Sequence, residues 1–252
     1  MYYYDWKPYV PVAARRREAA RKAAKLEKKG RRLSPVVVGG RKIAKTFWGE
    51  AWCENLERYS DFANRLPRGR TYVRNGSVID LQIAPGTVTA LVSGSTMYDV
   101  NVTVASVPKA RWHAISADCA GAIDSLVELL QGRFSKGVMA RLCQEKTGLF
   151  PSPEEITFTC SCPDWASMCK HVAAVLYGIG SRLDQQPDLL FALRKVDQQD
   201  LIAKAGTGLS QKRKGPAKKK VLESDDLSEM FGIEMAPVSR SSTETNTKRK
   251  KR

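Results

Sequence analysis

The chain has 252 residues with 42 Lys+Arg against 26 Asp+Glu, a formal net charge of +16, and is long enough for one large or two small packed domains. Residues 1–45 carry +11 and residues 201–252 carry +7, which leaves residues 46–200 at −2. No stretch combines a basic start, an apolar segment and a small-residue cleavage site, and no apolar run nears the roughly 20 residues that cross a bilayer, so neither signal peptide nor membrane anchor is expected and a cytoplasmic location follows.

In chain order, residues 13–29 are rich in Ala, Arg, Lys, Glu and Leu, a strong helix-forming composition with almost no apolar stripe, so a helix is expected there only against a partner. Residues 46–65 set Phe47, Trp52, Leu56, Tyr59 and Phe62 at helical spacings, closed by Pro67. From residue 71 to 107 the pattern becomes β-branched: 71–73, then Asn75-Gly76, then 78–83, Pro85-Gly86, 88–92 and 98–104. Asn-Gly between such runs is a hairpin signal, because a type I′ turn needs positive φ at both central positions. A small antiparallel sheet is predicted. Residues 117–130 place Cys119, Ala122, Ile123, Leu126, Val127 and Leu130 on one helical face. Ser135 can cap a further helix through Val138, Met139, Leu142 and Cys143, ending near Gly148. A last helix runs over 187–196, opened by Pro187, whose missing N–H does no harm there. Beyond Ala205 the Gly, Lys, Ser and Thr content predicts disorder, relieved only by the apolar positions Leu227, Met230, Phe231 and Ile233.

Six cysteines in so long a chain are not a disulfide scaffold, and in a reducing compartment clustered thiols are metal ligands. Cys160-Ser161-Cys162 is followed, after six intervening residues, by Cys169-Lys170-His171 at the start of the helical run Val172, Val175, Leu176, Ile179. Three sulfurs and one imidazole can occupy the corners of a zinc tetrahedron, with bonds of about 2.3 Å to sulfur and 2.0 Å to nitrogen. The orphan N–H groups of the helix start would soften the charge of three thiolates. All four positions are filled by protein, whereas catalytic zinc keeps one open. No His-x-Glu precedes the cluster to supply the proton-transferring carboxylate of a deaminase. The predicted site is structural and the chain is not expected to be an enzyme.

The order Cys160-x-Cys162, spacer, Cys169-x-His171 resembles the SWIM zinc finger, and the wording Cys160-Ser161-Cys162-Pro163-Asp164-Trp165 with Met168-Cys169-Lys170-His171-Val172-Ala173 is typical of it. The stretches Gly40-Arg41-Lys42-Ile43-Ala44 with Phe47-Trp48-Gly49, Leu66-Pro67-Arg68-Gly69-Arg70-Thr71-Tyr72 and residues 123–130 are similar to the bacterial SWIM zinc finger proteins. The resemblance implies Zn2+ on Cys160, Cys162, Cys169 and His171, and a partner that is nucleic acid, DNA before RNA, or a SWI2/SNF2-type helicase.

Around the ligands, Asp164 is placed to accept the second ring N–H of His171 and fix its tautomer. Two roles are open to Trp165, stacking on a nucleobase or covering the metal site. Lys170 and Arg182 can offset the site's net negative charge or reach a phosphate. Arg15, Arg16 and Arg17 at one end, and Lys212, Arg213 and Lys214 at the other, are candidate phosphate contacts whose attraction falls steeply with salt; solvated tails are the alternative. Residues 36–46 nearly spell a Walker A loop, but Ala44 stands where glycine is required, so nucleotide binding is not expected. Cys53, Cys119 and Cys143 fall beside apolar residues as small core side chains, and His113 near Cys119 is not a catalytic pair.

The expected architecture is α+β: a basic N-terminal arm over 1–45, an α+β body over 46–150, a SWIM-type Cys3His finger with following helices over 151–200, and a basic, largely disordered tail over 201–252. The leading function is a DNA-binding accessory module. The alternative is an adaptor docking on a helicase or other DNA-processing enzyme without touching DNA.

Overall fold

A computed structural model describes residues 10–58, 65–120, 122, 123, 125–164, 166 and 168–202. All lie in the first of the chain's two units, Met1–Lys212. The fold is α+β, in the order α1 (Val12–Glu27), α2 (Phe47–Glu57), α3 (Leu66–Arg74), β1 (Val78–Ala84), β2 (Thr87–Ser93), β3 (Met97–Val104), α4 (Lys109–Asp118), α5 (Leu126–Gln131), α6 (Lys136–Leu142), β4 (Ile156–Cys160), α7 (Lys170–Leu183) and α8 (Asp188–Arg194).

The four strands form one antiparallel sheet in sequence order. Alternation sends Val88, Ala90 and Val92 of β2 and Val100, Val102 and Val104 of β3 to one face, where they join the main core with Val78 and Leu81. Helix α7 is the centre of that core. Every residue of α7 except Lys170 and Arg182 is buried, a helix apolar nearly all round, which must be enclosed on all sides.

Two helices enclose it by close approach. A methyl added at Gly69 of α3 would lie 2.5 Å from the Cβ of Ala173, and one added at Gly180 of α7 would lie 2.6 Å from the sulfur of Cys53 on α2. The indole of Trp52 donates to the carbonyl of Leu176 at 2.9 Å and that of Trp48 to Leu129 at 3.0 Å, so two large rings are buried with their polar atoms satisfied. At the far end of α7, Asp184 accepts from the backbone N–H of Lys45 and Thr46, at 2.7 and 3.0 Å, and from the Thr46 hydroxyl at 2.8 Å. The Walker-like stretch is thus the tether that starts α2.

The open edge of β1 is covered. Val36 donates to Val78 at 3.0 Å and Leu81 to Ser34 at 2.9 Å, which removes a row of unpaired backbone groups. On the outer face of the sheet, Ala19, Ala23 and Leu26 of α1 pack against Ile79, Leu91 and Met97. These are positions i, i+4 and i+7, so the N-terminal segment does carry an apolar stripe, built from alanine, and its partner is the sheet of the same chain.

Three further expectations are corrected. Residues 71–73 belong to helix α3, not to a strand: Pro67 opens that helix and Gly69 and Val73 bury against its neighbours, so Asn75-Gly76 joins a helix to β1 while the hairpin turn is at Pro85-Gly86. The single helix expected over 117–130 is two, α4 ending at Asp118 and α5 starting after Ser125, whose hydroxyl accepts from Glu128 N–H at 3.2 Å. Residues 156–160, to which no strand was assigned from the sequence, form β4 and pair with β3 from Val104↔Ile156 to Val100↔Cys160. Strand β4 thus shares a sheet with β1–β3, and residues on both sides of position 150 contribute to the main core. The expectations for Tyr59, Phe62 and the tail beyond Ala205 lie outside the described residues.

Candidate metal centre

Three elements deliver the four ligands. Pairing of Val100 with Cys160 fixes the end of β4, and the turn after it is pinned at Ser161, whose N–H donates to Asp99 O and whose hydroxyl accepts from Asp99 N–H, both at 3.0 Å. That turn carries Cys162. Cys169 is the N-cap of α7, extended at φ −84° and ψ 170°, and its sulfur accepts the N–H of Val172 at 3.5 Å. His171 stands in the first turn and is only 2% exposed. The helix start thus gives a direct N–H contact to one of the three sulfurs, that of Cys169.

The four ligand atoms lie within 4.8 Å of one another. Nδ1 of His171 is 3.8 Å from the sulfurs of both Cys160 and Cys169, close to the tetrahedron edge of about 3.5–3.8 Å that the bond lengths to zinc impose. The donor set fits zinc in number, chemistry and spacing: it is a Cys3His structural site. Burial pushes the thiols of Cys160 and Cys169 up. Burial, aided by the charge of Lys170 and opposed by Asp164, pushes His171 down to about 4. At neutral pH the imidazole is therefore free of its extra proton, while thiol protons must leave before metal binds.

The ring of His171 stacks on Tyr98 with centroids 4.2 Å apart and meets Tyr72 edge-on at 5.4 Å. Its Nε2 is buried beside Gly94 with no hydrogen-bond partner among the described residues. The expected bond to Asp164 is not made. The Asp164 carboxylate is taken by Arg65 and by the N–H of Ala166, each at 3.2 Å, and so shapes the inter-ligand loop instead. The walls Tyr72 and Tyr98 escape a reading by ligand spacing because they come from α3 and β3; the sole signal was the resemblance carried by the stretch ending in Tyr72.

The other candidate residues are not gathered here. Lys170 lies 5.8 Å over the Tyr72 ring, beside the ligands. Arg182 is 12 residues further along α7, about 18 Å away, and donates to the carbonyls of Ser34 and Pro35 at 3.1 and 3.3 Å; it clamps the segment that covers β1. Arg15 donates to Val10 O at 3.0 Å and Arg16 to Arg74 O at 2.8 Å, while Arg17 is exposed. Trp165, Lys212, Arg213 and Lys214 lie outside the described residues. Cys119 is buried and His113 exposed on α4, and burial pushes Cys53 up to about 12 and Cys143 to about 11. Among the described residues no helix is long and apolar enough to cross a membrane.

Comparison with known proteins agrees with this geometry. The SWIM zinc finger family matches residues 157–178, which contain all four ligands, so a SWIM zinc-finger domain is present, a type of non-catalytic accessory module. An uncharacterized protein of Mycobacterium tuberculosis (Rv2102) is 35% identical over 164 residues, 64% of this chain and 59% of that protein. The chain thus spans less than two thirds of this relative's length. No solved structure matches.

Proposed function

We propose that this chain is a zinc-dependent, non-catalytic accessory module that binds nucleic acid, DNA before RNA, in the cytoplasm and in company with a SWI2/SNF2-type helicase. One observation carries the reading: the fold held by a structural Cys3His site includes a basic N-terminal segment, and the +11 of residues 1–45 and +7 of residues 201–252 flank the −2 of residues 46–200 in the sequence. Such an arrangement concentrates phosphate affinity toward the two ends of the sequence. The burial of α7 favours a second reading in one respect, because an enclosed helix has no recognition surface to place in a major groove. On that reading the module is an adaptor that docks on a helicase or other DNA-processing enzyme.

Titration of the full zinc-loaded chain against duplex DNA, single-stranded DNA and RNA at several salt concentrations separates the two. Binding to duplex with log K falling linearly in log salt, at about −0.9 per phosphate contact, supports the first. No binding to any of the three at about 50 mM salt, where attraction to basic segments is strongest, excludes it. Tight, salt-insensitive binding to a purified SWI2/SNF2-type helicase under the same conditions supports the adaptor.

A further inference from the structure

The N-terminal basic segment is a docked helix, and docking fixes which of its side chains face out. With Ala19, Ala23 and Leu26 against the sheet, the opposite face of α1 presents Arg17, Arg21, Lys25 and, at the C-cap, Lys28. These positions are spaced i, i+4, i+8 and i+11, so they fall within one narrow stripe about 16 Å long. All four are exposed. None forms a salt bridge among the described residues; of the two carboxylates on α1, Glu18 is held by Lys22 at 2.9 Å on the flank and Glu27 is exposed beside Lys28. At the N-terminal end Arg16 reaches the carbonyl of Arg74, and Arg74 in turn donates to Arg41 O at 2.9 Å, which brings more exposed guanidinium groups alongside.

We infer that this face of α1 is a preorganised phosphate-binding ridge that lies along the backbone of a nucleic-acid duplex. The inference rests on the nucleic-acid reading above and sharpens it, replacing a flexible basic arm with a rigid surface. A docked helix has its backbone already ordered and need only order side chains on binding, whereas a disordered arm loses backbone freedom as well. An anionic membrane is the weaker fit. An interfacial helix needs large apolar side chains to bury among lipid, and the apolar stripe of α1 is already spent on the sheet, leaving only the small side chains of Ala13, Ala20 and Ala24 as exposed apolar residues of the helix.

The test uses the full zinc-loaded chain and two variants, with duplex DNA as the probe and anionic phosphatidylserine vesicles as competitor. Arg17→Gln, Arg21→Gln, Lys25→Gln and Lys28→Gln together keep helix propensity and remove the ridge. Ala19→Gln with Leu26→Ser keeps every cation but lifts α1 from the sheet, verified by faster amide exchange in α1. The ridge predicts that the first variant loses about 2–4 from the salt slope and at least 10-fold in affinity near 100 mM salt. It predicts that the second loses several-fold in affinity at unchanged charge. An unchanged slope in the first variant, with the parent chain still binding, overturns the ridge and leaves the nucleic-acid reading standing. Parent-like binding by the undocked variant also overturns it, since the cations then act as a loose arm. Vesicles that displace the duplex through the same four residues would reassign the ridge to membranes. No duplex binding by the parent chain removes the reading and the inference together.

Discussion

Each zinc ligand carries a different share of the site. Cys169 serves both as helix cap and as ligand, His171 presents Nδ1 while its ring is clamped between Tyr98 and Tyr72, and Cys160 and Cys162 come from a strand end and the turn that follows. Because burial holds the Cys160 and Cys169 thiols protonated near neutrality, zinc uptake by chelator-stripped protein is expected to release at least two protons. Apparent affinity should therefore rise with pH across neutrality, whereas His171, pushed down to about 4, competes with protons only in acid. Calorimetry in buffers of different ionisation enthalpy checks this; uptake without proton release would show that the thiols ionise before metal arrives. Cys53→Ala, Cys119→Ala and Cys143→Ala should each leave the zinc content at one equivalent. Their cost is one of core packing, about 1 kcal/mol for so small a truncation. Elemental analysis decides, and metal lost from any of the three would enlarge the site.

Among the elements, α7 is the one on which the rest is assembled, and its partners reach it through glycine. Gly180→Ala would drive a methyl into Cys53, and Gly69→Ala would drive one into Ala173. Overpacking of this kind costs about 1–3 kcal/mol, larger than the gain of up to roughly 1 kcal/mol in helix propensity from replacing glycine. Both variants should lower the midpoint of chemical denaturation, and a rise in either would mean that α2 or α3 can move aside freely. Asp184→Ala belongs with them. It leaves the N–H groups of Lys45 and Thr46 without their acceptor, a loss of about 1–3 kcal/mol wherever those groups stay buried.

For the whole molecule the consequence is that the finger is not a detachable lobe. The SWIM match over 157–178 takes in most of β4 and the first nine residues of α7, so metal binding free energy is also free energy of folding for the central core. Cys162→Ser, or a strong chelator, should speed amide exchange not only around the ligands but in α2, α3 and the sheet, and should lower the thermal midpoint of one cooperative transition. Hydrogen exchange with mass readout checks it. Protection lost at the ligand loop alone, with α7 and the sheet unchanged, would show a finger that opens independently of the core.

Local information decided a good deal. Four ligands within 12 residues, the alternation of Val88, Ala90 and Val92, the Ser135 cap and the partition of charge are all readable along the chain, because each depends on neighbours a few positions away. Tertiary structure decided the rest. Residues 71–73 have strand propensity but become helix because Gly69 and Val73 are buried against α7 and the core, and the propensity difference of under about 1 kcal/mol is smaller than the burial gained. Alanines in α1 looked like a solvated face until Ile79, Leu91 and Met97 supplied the surface that makes them a stripe. Tyr72 and Tyr98 became walls of the metal site, and Arg182 a clamp rather than a contact, only when strands and helices distant in sequence met. Packing chooses partners across the chain, and no window of sequence contains both sides of such a contact.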